Sequence, residues 1–179
     1  MITSKYISKF IVVIVTVAVV ICILAMEYSK ELTEAFGGTV VTMRYESELF
    51  DTDEIIQIDI QMADEKWEQM LADASREEYI SCDVVVNGEK IQNVGIRPKG
   101  NTSLSAIVMN PDTDRFSLKL EFDRYVEGQT CLGLDKLILN NNYADATNMK
   151  EAVIYDMFQY LGADASLYNY AKVSVNGEY

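Results

Sequence analysis

The 179-residue sequence predicts an α+β fold, a mostly antiparallel sheet with packed helices, behind an N-terminal transmembrane helix. Three observations predict it. Phe10–Met26 (FIVVIVTVAVVICILAM) carries no charge. Phe116, Leu118, Leu120 and Phe122 alternate strictly with Ser117, Lys119 and Glu121, the period of a strand with one core face. Asn87-Gly88 joins two strand-like runs and is the strongest short hairpin signal.

The apolar run, with Ile7, is nearly long enough to span a bilayer. Lys5 and Lys9 precede it, and Glu27, Glu31 and Glu34 follow, with Lys30 alone against them. The positive-inside rule therefore assigns residues 1–9 to the cytoplasm, 10–26 to a signal anchor in the cell membrane, and an extracytoplasmic body beyond. A cleaved signal peptide is the rival. Ile23-Leu24-Ala25 puts Ile at the small position of a cleavage site, and the run is long for a signal core, so an uncleaved anchor is favoured. Residues 27–49 are assigned as a linker, in which Glu27–Phe36 continues as helix to Gly37-Gly38 and Val40–Met43 has strand character.

The body follows from residue 50, with mixed linker composition as far as Asp53. Ile56, Ile58 and Ile60 alternate with polar residues, as in a half-buried strand. Asp64 is placed to cap a helix whose Trp67, Met70 and Leu71 form an i, i+3, i+4 stripe. Tyr79–Val86 and Lys90–Arg97 are the arms of the hairpin, and a turn through Pro98 and Gly100 is expected next. Ala106–Asp114 reads as a loop, Asp123–Leu134 as a connection, and Lys136–Leu139 as a short strand ending in three Asn. A helix starting at Asp145 or Asn148 runs to Leu161, stops at Gly162, and is apolar enough to pack on a sheet face. The final strand within Tyr168–Val175 ends in Val-Asn-Gly-Glu, an echo of Val86-Asn87-Gly88-Glu89. The first turn has a return strand and the second has none, so a fragment or truncated product is expected.

Composition excludes several chemistries. The net charge of −13 disfavours nucleic acid as a partner. The absence of His removes His-based general bases and the usual zinc sets. Cys22, Cys82 and Cys131 stand too far apart in sequence for a C-x-x-C site; Cys82 and Cys131 are open to pairing or to burial as thiols. Arg97-Pro98-Lys99-Gly100-Asn101-Thr102-Ser103 has the cations, glycine and hydroxyls that suit a phosphate, but no Walker A spacing. A purely structural turn explains the same residues. Lys119, on the polar face of its strand, and Glu151, in the first turn of the long helix, suit a phosphate-holding lysine and its helix partner. A solvated face and a capping box at Asn148-x-x-Glu151 are the plainer readings. Asn140–Asn142 either fix a loop or meet a ligand.

Taken together, V-G-I-R-P-K-G-N-T-S-L (94–104), R-F-S-L-K-L-E-F-D (115–123), G-L-D-K-L-I-L-N-N-N-Y-A-D (133–145), M-K-E-A-V-I-Y-D-M-F (149–158) and V-S-V-N-G-E-Y (173–179) resemble the CotH family of spore-coat protein H-like kinases. The likeness spans about Phe50 to Tyr179, the N-terminal portion of the domain. It implies part of an atypical protein-kinase-like fold and ATP-dependent Ser phosphorylation of coat or surface proteins, with Mg or Mn. By that resemblance Lys119, Glu151, Arg97, Lys99 and Asn101 are nucleotide-binding candidates, with Thr102 where the family's G-N-S-S turn has Ser. The catalytic and metal-binding aspartates are expected beyond Tyr179, so no catalytic or metal residue is assigned. The alternative is a non-catalytic cell-surface or spore-coat binding module that reuses the fold.

Overall fold

The computed structural model describes residues 6–29 and 43–179. The helix continuation toward Gly37-Gly38 and the strand character at Val40–Thr42 lie outside the described residues. The chain divides into two units, Met1–Thr42 and Met43–Tyr179. In the first, α1 spans Ile7–Glu27, and it is long and apolar enough to cross a membrane. Its Thr16 hydroxyl donates to the Val12 carbonyl one turn back, which satisfies it inside the helix.

The second unit is an α+β body around one six-stranded mixed sheet, ordered β5-β4-β3-β2-β1-β6. The strands are β1 (Ile56–Gln61), β2 (Ile80–Val86), β3 (Glu89–Lys99), β4 (Ser117–Glu121), β5 (Lys136–Leu139) and β6 (Ala171–Val175). β6 is parallel to β1 and every other pairing is antiparallel. The helices of the body are α2 (Arg44–Glu48), α3 (Asp64–Ala72), α4 (Thr102–Val108) and α5 (Lys150–Tyr160).

Register puts one apolar side chain from each strand on the same face. Ile58 faces Val86 and Val173, Cys82 faces Val94, Ile96 faces Leu120, and Leu120 faces Leu137. These residues, with Phe122, form the core, and Met70, Trp67 and Leu71 of α3 pack on it as their spacing predicts. Leu49 is fully buried, and Tyr45 and Phe50 pack beside it, edge to face at 6.2 Å. The stretch read as mixed linker thus contains α2 and a core residue; five helical residues are too few for a periodic signal.

Several local expectations change. Asp64 is the first helical residue and makes no cap to α3; its carboxylate accepts from Asn176 Nδ2 at 2.6 Å. The turn expected at Pro98 is strand. Pro98 pairs with Leu118 beyond the last β2 partner of β3, Ile80 opposite Ile96. It therefore needs no N–H for a second neighbour there. The loop expected over Ala106–Asp114 is helical as far as Val108, with Leu104 and Ile107 buried at i, i+3. Helix α5 begins at Lys150; Asp145 accepts from the Lys150 amide at 2.8 Å, whereas Asn148 is left-handed at φ 56°. Gly162 ends it at φ 70°, as expected. However, α5 buries none of its residues, contrary to the expected packing on the sheet. Cys82 and Cys131 are free, and burial pushes their thiols up to about 12 and about 11.

Candidate functional site

The site residues divide between two neighbouring places on the sheet. Arg97 on β3 and Lys119 on β4 are direct cross-strand partners. Their side chains leave the face opposite the core, because Ile96, Pro98, Leu118 and Leu120 take the core side. The next rung of the ladder pairs Lys99 with Ser117.

Both cations meet Tyr79, which stands just before β2. Arg97 lies 5.3 Å and Lys119 5.8 Å from the centre of its ring, and Arg124 lies over the same ring at 4.8 Å. Two carboxylates answer them. Glu77, at a left-handed φ of 50°, pairs with Arg97. Glu121 stands 3.7 Å from Lys119 and 3.6 Å from Lys136. Tyr79 Oη is buried and makes no well-formed hydrogen bond among the described residues. It lies near enough to Glu121 to hold that carboxyl below the usual carboxylate range, with Lys136, Lys119 and Arg124 adding to the effect.

Lys99 and Glu151 line a cavity of about 900 Å³ between α5 and the sheet. Glu151 accepts from Asn140 Nδ2 at 2.8 Å. It forms neither the capping box with Asn148 nor an ion pair with Lys119, and both of those pairings are absent from the described residues. A polar cavity of about 330 Å³ adjoins this region, with Thr102, Ser103, Ser117, Asn140 and Glu151 in its wall. Asn101 lines neither cavity; it precedes α4 and its side chain makes no cap bond. Gly100, at φ 136°, makes the turn between β3 and α4, and a Cβ there would stand 2.7 Å from Ser103 Oγ.

The three Asn fix the loop. Asn140 holds Glu151, and Asn141 accepts from the buried Ser117 hydroxyl at 3.0 Å and donates to the Arg115 carbonyl at 2.6 Å. Asn142, left-handed at φ 52°, donates to Asn148 at 3.2 Å. The loop thereby ties the start of β4 to the start of α5.

Tyr79 and Arg124 were not among the sequence candidates. One signal for them exists, namely Gly95 inside a strand, which marks a close approach by something else. No cluster of three or more acidic or Cys side chains among the described residues is placed to hold a metal.

An α+β body with a paired-cation face on its sheet is the class that the fold and these residues define. Residues 96–179 match the family model described as CotH kinase protein, a match consistent with a CotH family member. The match begins on β3, whereas the motif likeness extends back to about Phe50. No curated protein matches the chain.

Proposed function

We propose that this chain is a membrane-anchored, extracytoplasmic CotH-like protein kinase, and that its body is part of an atypical kinase-like fold. The reaction is transfer of phosphate from ATP, with Mg or Mn, to Ser of coat or surface proteins. The family match supports the class. One observation carries the site. In a chain of net charge −13, Arg97 and Lys119 stand side by side over Tyr79 on a face that no core residue occupies. Such a pair suits the phosphates of a nucleotide by charge-assisted hydrogen bonds. Lys99 continues the cationic rung toward Ser117, Asn101 belongs to the adjoining turn, and Glu151 sets the α5 side through Asn140. The acidic residues among those described form no cluster that could hold the metal.

The test is titration of the detergent-solubilised full chain with ATP and Mn²⁺ by calorimetry. Lys119→Met and Arg97→Gln are each expected to cost about 1.5–3 kcal/mol, roughly tenfold or more in affinity. Absence of ATP binding, or wild-type affinity in both variants, would overturn the reading.

A specific observation favours the second reading, a non-catalytic surface or coat-assembly module. Arg97 is already paired with Glu77 and Lys119 with Glu121. Partner binding that survives substitution of both Lys119 and Glu151, in a chain that binds no nucleotide, would select it.

A further inference from the structure

Gly95 and Arg124 have no role in the proposed site and Tyr79 enters it only as the ring beneath two cations; three independent features connect the three residues. The first is convergence. Arg97, Lys119 and Arg124 all approach one ring, at 5.3, 5.8 and 4.8 Å. Like charges gathered in this way repel unless something answers them. Glu77 answers Arg97 and Glu121 answers Lys119, while Arg124 is exposed and forms no ion pair among the described residues.

The second feature is the floor. A Cβ on Gly95 would stand 2.7 Å from Arg124 Cβ, 2.8 Å from Arg124 Cγ and 3.2 Å from Tyr79 Cδ1. Strand β3 lacks a side chain at the one rung where the Arg124 stem and the Tyr79 ring cross it. The third feature is anchoring. The Tyr125 hydroxyl donates to the Tyr79 carbonyl at 3.1 Å, which ties the residue next to Arg124 back to Tyr79. Tyr79 Oη meanwhile is buried beside the Glu121 carboxylate, which it helps to hold ionised.

We infer that Arg124 is a third ligand for the polyphosphate anion held by Arg97 and Lys119, and that Tyr79 is a positioning residue whose ring face holds the three cations together over the floor left by Gly95. The inference rests on the phosphate-binding reading of this face. It requires an aromatic ring at position 79, because only a π face attracts cations, and an apolar side chain of similar bulk does not.

The experiment uses the detergent-solubilised full chain and two probes measured by calorimetry: inorganic tripolyphosphate without metal, and ATP with Mn²⁺. Arg124→Gln is expected to weaken tripolyphosphate binding roughly tenfold. Tyr79→Leu is expected to weaken it about fivefold to tenfold, and Tyr79→Phe to restore it to within about twofold. Arg124 is exposed, so its variant reports on the site even where Tyr79→Leu perturbs folding. Wild-type affinity in both Arg124→Gln and Tyr79→Leu overturns the inference. So does an equal loss in Tyr79→Leu and Tyr79→Phe. ATP binding that ignores these variants but depends on Lys119 and Arg97 leaves the nucleotide reading standing and removes this one. Tripolyphosphate binding that depends on Arg124, with no binding of ATP, does the reverse. Failure of both probes removes both.

Discussion

Asn87 and Asn176 grip β1 from opposite ends. Each opens an Asn-Gly turn with both residues left-handed, at φ 49° and 90° in one and 51° and 81° in the other. Asn87 Oδ1 accepts from the Gln57 amide at 2.9 Å, and Asn176 Oδ1 accepts from the Met62 amide at 3.1 Å. The repeated Val-Asn-Gly of the sequence is therefore a repeated clamp, applied by β2 on one side of β1 and β6 on the other. Asp59 locks the second clamp. Its carboxylate accepts from Ser174 Oγ at 2.6 Å, Gln61 Nε2 at 3.0 Å and the Gly177 amide at 2.8 Å. The Ser174 hydroxyl first, then Gln61 and Gly177, hold its carboxyl below the usual value of 3.8, outweighing partial burial. A carboxylate with a depressed folded pKa adds stability that is complete above its unfolded value and is lost as pH falls through the folded one. The wild-type chain is therefore expected to lose urea resistance below about pH 4 more steeply than Asp59→Asn. Parallel pH profiles for the two chains would show that Asp59 does not couple the clamp to protonation.

Among the elements, the β3–α4 corner depends most on a single residue. Gly100 combines a φ of 136° with a would-be Cβ contact of 2.7 Å to Ser103 Oγ, so it is constrained by both backbone and space. Gly100→Ala is expected to cost about 1–3 kcal/mol, read as a lower urea midpoint with an unchanged slope. An unaltered midpoint would mean that the corner relaxes freely. This corner also marks the limit of what the sequence makes legible. The alternation of Phe116–Phe122 announces β4, and Asn87-Gly88 announces its hairpin, because both signals are local. Helix α4 has only Leu104 and Ile107 as core anchors within seven residues, too short a window for the helical period to stand out. The apolar length of α5 reads as a buried helix. Nothing local reveals that its chain crosses from the β5 edge to the β6 edge without burying any of it. The candidate site was legible in part. The polar face of β4 names Lys119, but its pairing with Arg97 depends on how far β3 runs past Pro98. Tyr79 reaches the site only through a register that local sequence does not contain, and Gly95 is its one local trace.

For the molecule as a whole, the two units make separate physical demands. Helix α1 has 21 residues, about 31 Å at 1.5 Å per residue, which matches a hydrocarbon core of roughly 30 Å. Lys9 stands at its first turn and Glu27 at its end, the order that the positive-inside rule reads as the proposed cytoplasmic N-terminus. The thiols offer a clean way to test the proposed topology. Cys22 lies within the apolar helix, and Cys82 and Cys131 are buried in the body, where their raised pKa values leave little thiolate to react. The native chain is thus expected to be silent toward a membrane-impermeant maleimide. Asp112 is exposed in the loop between α4 and β4, so Asp112→Cys adds a reactive thiol to the body without touching the core. Intact cells are expected to label Asp112→Cys and not the native chain, with the labelled protein in the membrane fraction after alkaline washing. Labelling only after lysis would invert the topology. A labelled chain released by the alkaline wash would remove the anchor, and a kinase working on the outer surface would then need another means of staying there.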